Sequence, residues 1–194
     1  MLQTYKNIPL NVYPDFPKKG VLFLDIFPLL NKGILKNIGE DLQITEPLLM
    51  FPEARSLCFF GSLKKDDNYI VPLRKGGKLP GPLQAVTYQK EYGPDTLYFS
   101  KDHMRDAVAF LDNAGVLKKY EKDRVIPVCV MDDILATGGT ASAIVEGLKT
   151  FRLEDCPYTF KVVKAAFVIE IPFLKGRDVL EREGVEVNSL IESD

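Results

Sequence analysis

The run Val128-Cys129-Val130-Met131-Asp132-Asp133-Ile134-Leu135-Ala136-Thr137-Gly138-Gly139-Thr140 passes from a short apolar strand through two acids and a Gly/Thr turn into the start of a helix. Behind it, Ala141, Ile144, Val145 and Leu148 recur at i, i+3, i+4 and i+7 and form one apolar face. A turn of Thr137, Gly138, Gly139 and Thr140 at a helix N-terminus aims free backbone N–H groups and two hydroxyls at one spot, which suits a phosphate dianion. The glycines let the backbone approach closely. Charge-assisted hydrogen bonds of this kind contribute roughly 1.5–3 kcal/mol each, so several of them anchor a phosphate without a lysine. The spacing G-x-x-x-x-G-K-[ST] of a nucleotide-triphosphatase P-loop is absent. Asp132 and Asp133 would repel a phosphate if they faced it, and as acceptors they suit ribose hydroxyls. The ordered whole reads as a ribose 5-phosphate site.

Outward from this run, Pro47 to Phe51, Tyr69 to Leu73 and Val162 to Ile169 read as further buried strands, and Met104, Ala107, Val108 and Leu111 as a helix that stops near Asn113-Ala114-Gly115. Strands alternating with helices imply an α/β fold with a mostly parallel sheet, helices on both faces and ligands at the carboxyl ends of the strands. Pro127 cannot donate a ladder hydrogen bond, so the central strand is expected to begin after it. Leu83 to Phe99 is polar and lacks a sustained apolar period, which reads as a mobile loop able to close over a site.

The bulk numbers narrow the class. A chain of 194 residues, 46% hydrophobic and 27% charged, fits a single folded domain. A formal charge of −2 offers no general attraction for polyanions, so no nucleic-acid partner is expected. No apolar run is long enough for a bilayer, and Met1 to Pro14 lacks a signal-peptide pattern, so no membrane partner and a cytoplasmic address are expected. Cys58, Cys129 and Cys156 suggest neither a disulfide framework nor a zinc site and read as reduced core residues. His103 is the only histidine, which argues against a histidine triad or a multi-histidine metal site.

The stretch Met131 to Thr140 resembles the binding motif for 5-phosphoribosyl 1-pyrophosphate (PRPP) of type I phosphoribosyltransferases. Four further segments occur in the order found in the adenine phosphoribosyltransferases: Asp15 to Ile26, Pro52-Glu53-Ala54-Arg55, Arg74 to Gly81 and Glu91-Tyr92-Gly93. Leu174-Lys175-Gly176-Arg177 also resembles that branch. The resemblance implies a type I phosphoribosyltransferase-like twisted sheet with a small hood, in one domain spanning residues 1–194. Residues 1–30 would contribute the base-binding hood, and 101–125 would be an insertion.

The resemblance also implies an activity: transfer of the 5-phosphoribosyl group from PRPP to adenine, giving AMP and pyrophosphate. Asp132, Asp133, Ala136, Thr137, Gly138, Gly139 and Thr140 would bind the ribose and 5-phosphate. Arg55, Arg74, Lys75, Lys78 and Tyr92 would hold pyrophosphate, Arg by bidentate contact and Lys as a point charge. Backbone groups at Leu22, Phe23 and Leu24 would read the base, with apolar packing from Phe23 and Leu135. Glu91 would handle the purine proton. Magnesium would arrive bound to the substrate, with no dedicated protein cage. Family members commonly form homodimers, and one is expected here. Relatives usually carry a basic residue where this chain has Leu24, which keeps another purine base open as an alternative, beside a non-catalytic PRPP-sensing protein.

Overall fold

The computed structural model describes residues 11–15, 19, 22–32, 37–53, 56–90 and 93–193. Two strands, β1 (Asn11–Pro14) and β2 (Leu22–Asp25), pair antiparallel in a small separate sheet. The main sheet has seven strands: β3 (Leu48–Pro52), β4 (Tyr69–Lys75), β5 (Leu83–Lys90), β6 (Gly93–Ser100), β7 (Val125–Leu135), β8 (Thr159–Glu170) and β9 (Glu186–Glu192). Their order is β5-β6-β4-β3-β7-β8-β9. The pairs from β4 through β9 are parallel, and the β5–β6 hairpin joins β4 antiparallel.

Helices cover both faces, as the alternation of patterns predicts. One face packs α3 (Lys101–Asn113) through Met104, Ala107 and Leu111, and α4 (Gly139–Thr150) through Ala141, Ile144, Val145 and Leu148. The other packs α1 (Ile38–Asp41) and α2 (Ser56–Phe60), with Leu24, Ile26, Leu29, Phe59 and Phe60 in its core. The region expected as an insertion therefore carries a helix whose inner side is fully buried on the sheet. Ser100 caps α3 by accepting from the His103 N–H at 3.3 Å, and Gly115, at φ 72°, turns the chain just past the helix end.

Three expectations are corrected. Leu83 to Phe99 is a β-hairpin: Leu83↔Ser100 through Lys90↔Gly93 pair in unbroken register. Val86 and Tyr88 on one strand alternate with outward residues and meet Leu97 and Phe99 in the core, a short period-2 pattern hidden by its polar alternate positions. The central strand starts at Val125, ahead of Pro127. Pro127 pairs with Lys161 of β8, but β3 joins β7 only from Val128 onward, so Pro127 sits where one flank has no ladder to break. Cys58 is exposed, because α2 turns Ser56, Phe59 and Phe60 inward and leaves Leu57 and Cys58 outside.

Candidate active site

Because β3, β4, β7 and β8 are parallel, the residues that follow them gather at one edge of the sheet. That edge carries Glu53, the turn from Arg74 to Lys78, the turn from Ala136 to Thr140 and the segment from Ile171 to Gly176. The topology thus brings together the ribose-phosphate run and three of the residues expected at pyrophosphate.

At the phosphate turn, Gly138 adopts φ 79° and ψ −2°, a left-handed conformation that glycine reaches without steric cost, and Gly139 opens α4. The first bond of this helix runs from the Ser142 N–H to the Gly138 carbonyl at 2.9 Å. The amides just before Ser142 lie ahead of the intrahelical ladder, as at any helix start, and are the groups that can receive an anion. Thr137 is exposed and Thr140 is half-buried. Asp132 and Asp133 stand near the end of β7. The Asp133 N–H donates to Asp132 Oδ1 at 2.8 Å and the Ile134 N–H to Asp133 Oδ1 at 3.0 Å. Both carboxylates are therefore oriented by the strand's own backbone.

Gly176 was named at the sequence level only within a motif, and the structure gives it a part in the site. Its backbone lies against the phosphate turn so closely that a Cβ there would fall 2.3 Å from the Ala136 carbonyl oxygen and 2.8 Å from the Gly138 nitrogen. A Cβ on Gly138 would in turn meet the Gly176 oxygen at 2.9 Å. The two glycines permit a backbone-on-backbone contact. Hydrogen bonds fix the segment around it: the Ile171 N–H donates to the Leu135 carbonyl at 2.9 Å. Arg177, at the start of α5 (Gly176–Arg182), clamps the buried Glu170 through Nε at 2.9 Å and through Nη2, and reaches the Val187 carbonyl at 2.7 Å. Ser189 Oγ also donates to Glu170 at 2.7 Å. The hydrogen bonds that Glu170 accepts hold the Arg177 guanidinium even more firmly protonated than usual. No local pattern of residue types announces this contact, because its two sides are far apart in the chain.

The cations lie on and after β4. Arg74 Nε donates to Glu53 Oε2 at 2.7 Å, and the Lys75 N–H donates to Glu53 Oε1 at 2.9 Å. Arg74 Nη1 reaches the Lys78 carbonyl at 3.1 Å. The Lys75 backbone donor and the Arg74 guanidinium hold the Glu53 carboxyl below the usual carboxylate range, so it is ionised at neutral pH. Lys75 Nζ is paired with Asp95 on β6, which also accepts from Tyr88 Oη at 3.1 Å. Both cations are already partnered by carboxylates, a feature the sequence reading did not anticipate. Arg55 lies outside the described residues, as do Glu91 and Tyr92.

The hairpin flanks this edge. β6 runs antiparallel to β4 with Lys75 opposite Leu97, and the β5–β6 ladder continues for four more pairs, ending at Lys90↔Gly93. That is an overhang of roughly 13 Å beyond β4. Around the expected base position, β2 pairs Tyr13↔Phe23 and Val12↔Leu24. Phe23 is half-buried, whereas Leu24 is 5% exposed and packs in one core and Leu135, 1% exposed, packs in the core on the other face of the sheet. The side chains of Leu24 and Leu135 are thus not brought together. Among the described residues no group of three or more His, Cys, Asp or Glu is arranged to hold a metal ion.

No family model matches the chain. An adenine phosphoribosyltransferase of Clostridium botulinum is 35% identical over 191 residues, covering 94% of this chain and 95% of that protein. One of Candida albicans is 36% identical over 179 residues, covering 89% and 82%. The crystal structure of the Thermoanaerobacter pseudethanolicus adenine phosphoribosyltransferase superposes with a TM-score of 0.69 at 30% identity, covering 95% of each chain. That of Saccharomyces cerevisiae, solved with an imino-altritol bisphosphate and adenine, gives 0.64 at 29%, covering 93% of each. The conserved extent of these matches, together with the glycine-shaped turn after β7, leads to one conclusion: the chain belongs to the adenine phosphoribosyltransferase family.

Proposed function

We propose that this protein transfers the 5-phosphoribosyl group of PRPP to adenine, releasing AMP and pyrophosphate. The observation that carries the reading is the turn from Ala136 to Thr140. It opens a 12-residue helix at the carboxyl edge of a parallel sheet, two residues after the paired acids and on the same edge as the Arg74–Lys78 turn. A ribose 5-phosphate is held by the amides of Gly138, Gly139 and Thr140 and the hydroxyls of Thr137 and Thr140, with Asp132 and Asp133 accepting from its 2- and 3-hydroxyls. Arg74, Lys75 and Lys78, joined by Arg55 and Tyr92, receive pyrophosphate. The yeast relative was solved with adenine, and the chain is 29% identical to it.

In the reaction a purine nitrogen forms a bond to the anomeric carbon as the bond from that carbon to the pyrophosphate oxygen breaks. Positive charge builds on the sugar, and a proton leaves the purine. Glu91 accepts that proton, with the overhanging hairpin excluding water from the reacting carbon. Backbone groups of Leu22, Phe23 and Leu24 read the base and Phe23 packs on it, while the buried Leu135 supports the floor. Since Leu24 turns its side chain into the core, the loss of a basic side chain there leaves backbone recognition intact. Magnesium fits as a companion of the substrate. The two carboxylates Asp132 and Asp133 are too few for a cage, so magnesium would be held mainly by PRPP and, when bound, would supply charge neutralisation for the leaving pyrophosphate.

Purified protein given PRPP and magnesium should form AMP from adenine faster than nucleotides from guanine or hypoxanthine. Preference for an oxopurine would reject the base, and no product with any purine would reject the enzyme in favour of a PRPP sensor.

Glu91→Ala should lower kcat by at least about 10² with little change in PRPP affinity. A folded variant retaining more than about half of wild-type kcat would remove Glu91 from the chemistry, where chemistry limits turnover.

The protein is also proposed to work as a homodimer in the cytoplasm, a compartment that suits its three free thiols. Among the described residues no helix is long and apolar enough to cross a membrane. Light scattering at concentrations where the enzyme is active should give twice the chain mass, and a monomer there would refute the assembly.

A further inference from the structure

We infer that Glu53 is a positioning residue for the pyrophosphate half of the site, holding Arg74 and the backbone of the turn after β4 in the arrangement that receives the leaving group. The inference rests on the function proposed above.

Glu53 follows the last residue of β3, and its own N–H donates to the Leu73 carbonyl at 2.6 Å, which fixes its backbone beside β4. Each oxygen of its carboxylate has a separate task. Oε2 takes the Arg74 Nε–H at 2.7 Å and Oε1 takes the Lys75 N–H at 2.9 Å. Arg74 Nη1 then donates to the Lys78 carbonyl at 3.1 Å, and the Lys78 N–H to the Lys75 carbonyl at 3.3 Å. Carboxylate, guanidinium and turn backbone close into a ring.

The consequence lies in the shape of the guanidinium. Its five N–H donors sit in a rigid planar fork. Glu53 uses the Nε edge and the Lys78 carbonyl one Nη1 donor, so the remaining donors of Nη1 and Nη2 lie outside these bonds and can point at a ligand. The Arg74 side chain is 39% exposed, so it is not sealed from a ligand by the fold. A flexible arginine held along one edge has less conformational freedom to lose when an anion meets the other. Simple charge neutralisation would not need this division, since one oxygen would serve. The second oxygen, on the Lys75 N–H, ties the guanidinium to the same turn that carries Lys78.

Glu53→Gln separates the two roles. Arg74 and the Lys75 N–H address different oxygens, and in Gln one of those two positions is an NH2 donor, so one of the two bonds is lost. In steady-state kinetics KM for PRPP should rise about tenfold, as expected for one lost hydrogen bond to a charged group, with KM for adenine and kcat at saturating PRPP within about threefold. Because Glu53 acts through Arg74, the double variant Glu53→Gln, Arg74→Gln should be no worse for PRPP than Arg74→Gln alone. A folded Glu53→Gln enzyme with PRPP KM within about twofold of wild type, or full multiplication of the two defects, would overturn the inference. Should Glu53→Gln fail to fold, Glu53→Asp carries the test: it keeps the charge but is too short to span both partners. Its PRPP KM should rise by at least about threefold, and an unchanged value would be equally fatal. An inactive wild type would reject the proposed function as a whole, whereas an active wild type with indifferent Glu53 variants would reject the positioning role alone.

Discussion

The site depends on one contact between two pieces of backbone. Gly138 and Gly176 approach until neither could carry a Cβ, and that approach sets the shape of the turn between β7 and α4. Side chains at such a contact could shift. Main-chain atoms anchored by the Ile171–Leu135 hydrogen bond on one side and by the Arg177–Glu170 clamp on the other have little room to do so. The phosphate turn is therefore held from outside itself. Amides aimed by a rigid scaffold need no rearrangement to meet an anion, which suits this turn to the phosphate proposed for it without a lysine.

The other half of the site is organised by charge. Arg74 and Lys75 rest against Glu53 and Asp95 instead of facing solvent alone. These pairs are partly exposed, so they add little to stability. Their effect is geometric: they define where the cations are before a ligand arrives. Asp95 belongs to the hairpin that overhangs the edge, so the Lys75 pair also ties the overhang to β4. One half of the site offers fixed dipoles and the other cations held in place by carboxylates, a division that suits the proposed substrate, whose 5-phosphate would stay while its pyrophosphate leaves.

Much of this was legible in the chain. The apolar face of Ala141, Ile144, Val145 and Leu148 and the glycines before it identified α4 and its N-terminus, because helical period and turn chemistry are local properties. Met104, Ala107 and Leu111 and the stop at Gly115 were equally readable. The hairpin was not, since its buried apolar residues, Val86, Tyr88, Leu97 and Phe99, are few and alternate with outward positions, so the alternation is too brief to stand out from loop composition. Pro127 misled because its tolerance depends on where β3 begins to pair, a fact of tertiary register. Gly176 and the second oxygen of Glu53 were illegible for the same reason: each acts on a partner brought near only by the fold.

The most direct test of this account is isothermal titration of PRPP, with magnesium, into the Gly176→Ala protein. The added Cβ would sit 2.3 Å from the Ala136 carbonyl oxygen, so the turn must move to admit it. The variant should fold with reduced thermal stability, by about 1–3 kcal/mol for an overpacked site, and bind PRPP at least about tenfold more weakly as amides leave the phosphate. A folded Gly176→Ala protein that binds PRPP as tightly as wild type would contradict the claim that this backbone contact shapes the phosphate site.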